Sequence, residues 1–245
     1  VIGAHYDHLG LGRNGNSLAS GADAGKPHVG ADDNASGSAA VLAVAEAFAR
    51  RPVRRRHLAI ALWSAEELGL IGSSAFVNAP PIPVNEIGAY LNFDMVGRMQ
   101  DNKLAVQATG SSSTWASLIE RANVAAGFNL TLQPDPYQPT DVATFNQASV
   151  PSLNFTTGAH LDYHKPSDTA DKINYEDLDR IAEFATAIAA RLMESEPAPQ
   201  FVKVDQSSQT VNRTGVRVFT GSVPDYAGDV KGLLLGGVIG GGPAE

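Results

Sequence analysis

Imidazole and carboxylate side chains follow several apolar segments of this sequence, and these residue types can bind metal ions or move protons. The set consists of His5, Asp7, Asp32, Asp33, Glu66, Glu67, Asp94 and His164. Each of them alone has a structural explanation, since Asp and Glu pairs commonly cap helices. Their occurrence together in one chain, in the order of the predicted strands, favours a shared site.

The number of carboxylates in the set indicates metal ions. Asp32, Glu66, Glu67 and Asp94 would repel one another if they were clustered beside an apolar sheet, and several would have to be protonated. Two divalent cations would remove this repulsion. Two imidazoles and three carboxylates suit two zinc ions if one carboxylate bridges them, as in co-catalytic hydrolysis, and the fourth carboxylate then remains free to act as a base.

Apolar segments alternate with helical patterns along the first 197 residues. Strands are predicted at 1–5, 57–63, 89–93, 104–108 and 151–155. Helices are predicted at 35–50, 112–126, 140–147 with Thr140 as N-cap, and 175–192. This order predicts a three-layer α/β/α sandwich with a mostly parallel sheet, whose ligands bind at the carboxyl ends of the strands.

The composition excludes several classes of function. The net charge of −8 disfavours binding to a nucleic-acid backbone. The absence of cysteine excludes disulfides, thiolate metal sites and cysteine nucleophiles. No apolar run is long enough to predict a membrane span.

Five segments of the first 193 residues resemble metallopeptidase family 28, the di-zinc aminopeptidases. They are GAHYDHLG, GADDNASG, SAEELGLIGS, NFDMVGR and YHKPSDTADKI. The resemblance implies a zinc-dependent aminopeptidase with two Zn²⁺ ions that hydrolyses the N-terminal bond of peptides through a water bridging the metals.

The resemblance also implies a role for each matching residue. Asp32 is expected to bridge the ions, and a cis peptide is expected at Asp32–Asp33. His5 and Asp94 would complete one site, and Glu67 and His164 the other. Two catalytic groups are expected, Glu66 as general base and Tyr163 as oxyanion donor. Asp7 and Asp33 are expected to lie beside the ligands, with Asp7 orienting His5.

From residue 198 onward the sequence shows no long helical pattern, unlike the preceding residues. This part is predicted to be a linker followed by a partial PDZ-like domain. The segment KGLLLGGV resembles the peptide-carboxylate loop of such domains. Both termini are expected to be truncations of a longer bacterial protein. The resemblance implies a periplasmic or secreted location.

Other functions remain open within and beyond this family. A carboxypeptidase or a glutaminyl-cyclase-like enzyme would use a related site. A catalytically silent peptide-binding module would have lost metal ligands, and no such loss is visible in the sequence.

Overall fold

The computed structural model describes residues 1–50, 55–205, 222–225 and 234–238. Eight strands occur within these ranges: β1 (Ile2–His5), β2 (Ile60–Trp63), β3 (Tyr90–Phe93), β4 (Lys103–Gln107), β5 (Asn129–Leu132), β6 (Ser152–Thr156), β7 (Ser222–Asp225) and β8 (Leu234–Val238). Five α-helices accompany them: α1 (Gly37–Ala49), α2 (Ile71–Asn78), α3 (Trp115–Ala126), α4 (Val142–Gln147) and α5 (Tyr175–Glu194).

Six strands form one sheet in the order β2-β1-β3-β6-β4-β5. All neighbouring pairs are parallel except β4 and β6, which are antiparallel. Helices α1, α3 and α5 pack together on one face, and α2 and α4 pack together on the other. The predicted α/β sandwich with a mostly parallel sheet is confirmed.

Helix α5 covers one face of the sheet because its apolar residues recur at helical spacing. Leu178, Ile181, Ala185 and Ile188 are buried in the larger core. The side chain of Asn174 accepts a hydrogen bond from the Asp177 backbone NH and caps the first turn of the helix.

An aromatic cluster fills the opposite face. The rings of Tyr90 and Phe145 stack with centroids 3.8 Å apart, and Trp63 packs against both. Trp63 Nε1 donates a hydrogen bond to the Tyr90 hydroxyl at 2.7 Å, and this hydroxyl donates to Asn92 Oδ1 at 2.5 Å. The Tyr90 hydroxyl and the Asn92 side-chain oxygen of β3 are therefore paired, and these bonds fix the strand that leads to Asp94.

Three local features differ from the sequence-based expectations. Strand β5 and helix α2 were not predicted, because β5 is a short, partly exposed edge strand and α2 contains a glycine and few buried apolar residues. Thr140 does not cap α4, which begins at Val142 after Asp141, and the Thr140 hydroxyl has no hydrogen-bond partner among the described residues.

The chain after α5 stays against the core as far as residue 205. The Val202 backbone NH donates to the Ser111 carbonyl at 2.8 Å, and the Tyr137 hydroxyl donates to the Val204 carbonyl at 3.0 Å. Strands β7 and β8 form an antiparallel pair. Most of the segment predicted to be PDZ-like lies outside the described residues, and the PDZ-like identity stays a prediction. No helix among the described residues is long and apolar enough to cross a membrane.

Candidate metal centre

The predicted site side chains follow strands that end at one edge of the sheet. His5 is the last residue of β1, Glu66 and Glu67 follow β2, Asp94 follows β3 and His164 lies in the loop after β6. Asp33 lies in the kinked segment Ala31–Ser36 that leads into α1, and its own backbone is not helical. Parallel strands place their carboxyl ends together, and this places residues distant in sequence side by side.

Asp33 lies at the centre of the cluster, between two imidazoles. Its Oδ1 is 3.4 Å from His5 Nε2, and its Oδ2 is 3.2 Å from His164 Nε2. On the first side, His5 Nε2 is also 3.6 Å from Asp94 Oδ1. On the second side, His164 Nε2 is 3.3 Å from Glu67 Oε2. One carboxylate thus joins two groups of donor atoms.

The expectation that Asp32 occupies this central position is wrong. Asp32 points away from the cluster: its Oδ1 accepts hydrogen bonds from the Gly97 backbone NH at 2.6 Å and the Ser36 hydroxyl at 2.9 Å. Its Oδ2 is bonded to His160 Nε2 at 3.0 Å. The two adjacent side chains point in different directions, so only Asp33 reaches the imidazoles of His5 and His164. The cis peptide bond lies at Asp33–Asn34 and not at Asp32–Asp33.

Asp7 makes a different contact from the one predicted. His5 Nδ1 donates to the Asp7 backbone carbonyl at 3.0 Å, whereas the Asp7 carboxylate lies 3.7 Å away. That carboxylate accepts the backbone NH groups of Glu66 at 3.0 Å and Glu67 at 3.3 Å. Asp7 therefore orients His5 through its backbone and holds the Glu66–Glu67 turn through its side chain.

Two further side chains fix the position of Asp33. Asp168 Oδ2 accepts the backbone NH groups of Asp32 at 2.9 Å and Asp33 at 3.1 Å. The Asn34 side chain donates to the Phe93 carbonyl at 2.9 Å and accepts from the Met95 NH at 3.2 Å, so it bonds to the backbone on both sides of Asp94. These bonds tie the Asp33 turn to the end of β3.

Left-handed backbone conformations are concentrated at this edge of the sheet. Ala65 has φ 57° directly before Glu66, and Met95 has φ 56° directly after Asp94. His164 itself has φ 54°. Each such residue costs about 1 kcal/mol or more, and strain of this kind is typical of functional sites.

Both central histidines present Nε2 to the carboxylates. The Nδ1 atom of His5 bonds to the Asp7 carbonyl, and that of His164 bonds to the Asn16 carbonyl at 2.7 Å. A carbonyl only accepts, so Nδ1 carries the hydrogen in each ring and Nε2 is left for a ligand in the neutral form. This is the tautomer that a metal site needs.

The carboxylates hold protons on these imidazoles when no cation is present. Burial opposes the charged form, but Asp33 and Asp94 raise the pKa of His5 well above its usual range. Burial also opposes charging of His164, yet Asp33 and Glu67 raise its pKa to about 10. Burial likewise disfavours ionisation of Asp33, but His164 and His5 hold the pKa of Asp33 far below its usual range. Cations could replace these protons as the counter-charge.

Glu66 and Tyr163 complete the cluster without joining either donor group. Burial raises the pKa of Glu66 well above its usual range, and Asp94 and Asp141 raise it further against the opposing effect of His5. The Tyr163 ring stacks on His164 with centroids 3.8 Å apart. Burial and the neighbouring carboxylates raise the pKa of Tyr163, so its hydroxyl remains a hydrogen-bond donor.

The donor set fits two metal ions. The donor atoms of His5, Asp33 and Asp94 lie within 4.8 Å of one another, and so do those of His8, Asp33 and Glu67. Imidazole nitrogen and carboxylate oxygen are ligands that zinc accepts. His8 was not among the predicted ligands. His160, Asn16 and Asp168 were not predicted as site residues either. The available signal was the position of these residues within or beside the motif segments.

A mostly parallel sheet with imidazole and carboxylate donors at its carboxyl edge is the arrangement of α/β metallohydrolases. Comparison with known proteins agrees with this class. The sequence matches the model of peptidase family M28 over residues 1–189. The chain therefore belongs to peptidase family M28.

Individual relatives match parts of longer proteins. Leupeptin-inactivating enzyme 1 of Streptomyces exfoliatus is 34% identical over 174 residues, covering 70% of this chain and 35% of that enzyme. Leucine aminopeptidase 2 of Trichophyton rubrum is 28% identical over 201 residues, covering 70% of this chain and 39% of that protein. The chain spans less than half the length of these curated relatives.

The fold is shared with solved structures. A zinc aminopeptidase from Bacillus subtilis superposes with a TM-score of 0.65 at 25% identity, covering 80% of this chain and 46% of the other.

Proposed function

We propose that this chain is the catalytic unit of a zinc-dependent aminopeptidase that hydrolyses the N-terminal bond of peptides. The observation that carries the proposal is Asp33, which lies between two groups that each contain an imidazole and a carboxylate. The carboxyl of Glu66 interacts with Asp94 and Glu67 of these groups and is not a member of either. Membership of family M28 and the aminopeptidase and zinc names of its relatives support the same activity.

The metal ligands are assigned from the donor groups. His5, Asp33 and Asp94 would hold one zinc ion, and Asp33, Glu67 and His164 would hold the other. When bound, the ions supply Lewis acidity that polarises the scissile carbonyl and lowers the pKa of water.

Glu66 is assigned as the group that moves protons. Asp7 accepts the Glu66 backbone NH and thereby fixes the turn that carries Glu66 at the end of β2. The Glu66 carboxylate takes a proton from the attacking water and delivers it to the leaving amine. Burial raises the pKa of Glu66 when no cation is present, and bound cations would lower it, which favours the carboxylate that accepts the proton.

Tyr163 is assigned as the donor to the developing oxyanion. Its ring is held against His164, and its phenol stays protonated in this anionic surrounding. A phenol that donates where negative charge develops stabilises the transition state more than the ground state.

Specificity for a free amino terminus is proposed from the relatives, which include a leucine aminopeptidase and a zinc aminopeptidase. Two zinc ions would balance the charge of Asp33, Glu66, Glu67 and Asp94, so the net charge of the site does not distinguish an aminopeptidase from a carboxypeptidase.

The test compares three substrates on the purified chain loaded with zinc. We expect hydrolysis of leucine p-nitroanilide, no hydrolysis of its N-acetylated form, and loss of turnover on chelation that zinc reverses. Equal cleavage of the blocked substrate would contradict an aminopeptidase, and cyclisation of an N-terminal glutaminyl peptide would favour a glutaminyl cyclase. Zinc binding without turnover would favour the silent binding module.

Two further features are part of the proposal. Residues 1–197 form the catalytic domain, followed by a linker and a partial PDZ-like domain at 198–245. The protein acts in the periplasm or after secretion, on peptides and not on nucleic acid.

A further inference from the structure

His8 lies beside the second donor group, although the metal ligands assigned above do not include it. It follows His5 by three residues in the loop after β1. Its Nδ1 is 3.0 Å from Glu67 Oε1 and 3.8 Å from Asp33 Oδ2. The His8 and His164 rings approach edge to face with centroids 5.8 Å apart. Two imidazoles therefore converge on the same two carboxylates.

The separations between these imidazole and carboxylate atoms are in the range that a zinc site needs. Zinc–ligand distances of about 2.0–2.1 Å imply donor atoms roughly 3.3 Å apart in a tetrahedron. The separations from His8 Nδ1 are 3.0 and 3.8 Å, and those from His164 Nε2 are 3.2 and 3.3 Å. The donor atoms of His8, Asp33 and Glu67 lie within 4.8 Å of one another, and His164 Nε2 approaches the same Asp33 oxygen and the other Glu67 oxygen.

The backbone makes room for the His8 ring at a single glycine. Gly30 has φ +58°, and a Cβ there would lie 2.6 Å from His8 Cγ and 2.4 Å from the Asp33 carbonyl oxygen. Only glycine fits this conformation and this close approach without strain. The His8 side chain is 8% exposed, and its Nε2 is buried with no hydrogen-bond partner among the described residues. The Nδ1 contact with Glu67 and the close approach of Gly30 hold the ring with Nδ1 towards the carboxylates.

The first donor group is less complete. His5, Asp33 and Asp94 supply three donors there. Four protein ligands close a zinc site and are typical of a structural ion, whereas three leave a position for water or substrate.

We propose that His8 is a fourth protein ligand of the second ion, so that the two metals have different roles. The ion held by His8, Asp33, Glu67 and His164 is the more tightly bound one and has a structural role. The ion held by His5, Asp33 and Asp94 keeps the open position for chemistry. This inference rests on the proposed function, because it assumes that zinc occupies both groups.

X-ray absorption spectroscopy of the zinc edge tests the inference directly. The full chain is loaded with one and then two equivalents of zinc, as wild type, His8→Ala and the control His57→Ala, whose imidazole is exposed and lies outside the cluster. With one equivalent, we expect about two imidazoles per zinc in wild type and the control, and about one in His8→Ala.

A competition titration with a chromophoric chelator provides the second measurement. We expect His8→Ala to weaken binding of the first equivalent by more than about 100-fold, beyond the 10–100-fold typical of residues that only orient a ligand. His8→Gln keeps most of the side-chain volume and should show the same loss, which covers the case in which the alanine variant does not fold.

The outcomes separate this inference from the proposed function. If wild type binds two zinc ions and hydrolyses leucine p-nitroanilide, but its imidazole count is unchanged by His8→Ala, then His8 is only a hydrogen-bond partner of Glu67 and the inference is overturned. If wild type binds no zinc, the proposed function fails as well.

Discussion

Replacing Asp33 by Asn should abolish the binding of both zinc ions, whereas the same change at Asp32 should leave both ions bound. The two residues are adjacent, both are buried, and both substitutions are isosteric. Only Asp33 lies between the imidazoles of His5 and His164, and Asp32 is bonded to Gly97, Ser36 and His160. A comparison of the two variants therefore distinguishes a loss of metal binding from a loss of stability.

The expected size of each effect follows from these contacts. Loss of a residue that merely orients a ligand costs about 10–100-fold in metal affinity, so loss of a ligand shared by two ions should cost more than about 100-fold at each. At Asp32, an amide still accepts from Gly97 but weakens the bond with His160. This costs about 2 kcal/mol for a charge-assisted hydrogen bond, or roughly 4–8 °C in Tm.

Zinc content by mass spectrometry and thermal unfolding of the metal-free proteins measure the two effects. We expect Asp33→Asn to contain no zinc after dialysis at micromolar zinc and also to unfold at a lower Tm than wild type, because the amide weakens the contacts with His5 and His164. Asp32→Asn should unfold earlier and contain two equivalents. The reverse pattern, with zinc lost only in Asp32→Asn, would refute the assignment of Asp33.

Three further predictions concern catalysis, protons and the core. Glu66→Gln should bind two zinc ions but lose about 10²–10⁴-fold in kcat, and a near-normal rate would exclude Glu66 as the base. The pKa of His164 is raised to about 10 without metal, so its proton must leave when zinc binds. Calorimetry in buffers of different ionisation enthalpy should therefore show proton release at about pH 7.5. The zinc affinity should rise about tenfold per pH unit for this proton up to about pH 10. Binding that does not vary with pH would contradict the proposed coordination by His164. Tyr90→Phe should lower the free energy of unfolding by about 2–3 kcal/mol in urea melts because it leaves Trp63 Nε1 and Asn92 Oδ1 without their partner, and a change below about 0.5 kcal/mol would show that other groups satisfy them.

The sequence was sufficient to predict the sheet and the strand ends that carry the site. Strands β1, β3 and β6 are buried along their whole length, so their apolar runs are strong signals. Strand β5 is partly exposed at the edge of the sheet, and α2 has few buried positions, so neither gave a clear periodicity.

The error at Asp32 has a different origin. Two consecutive aspartates are equivalent in composition and spacing, and the direction of each side chain depends on contacts far away in sequence. Asp168 accepts both backbone NH groups, and Gly97 donates to Asp32, which turns Asp33 towards the imidazoles. Contacts of this kind over more than 60 residues are set by the tertiary fold and are not visible in a local motif.

The most direct test of the account is anomalous diffraction at the zinc edge from crystals of the zinc-loaded chain. The account predicts two peaks about 3.5–4 Å apart, one on each side of the Asp33 carboxylate, with His5 and Asp94 at one and Glu67 and His164 at the other. A single peak, or peaks that contact Asp32 and leave Asp33 unbound, would contradict it.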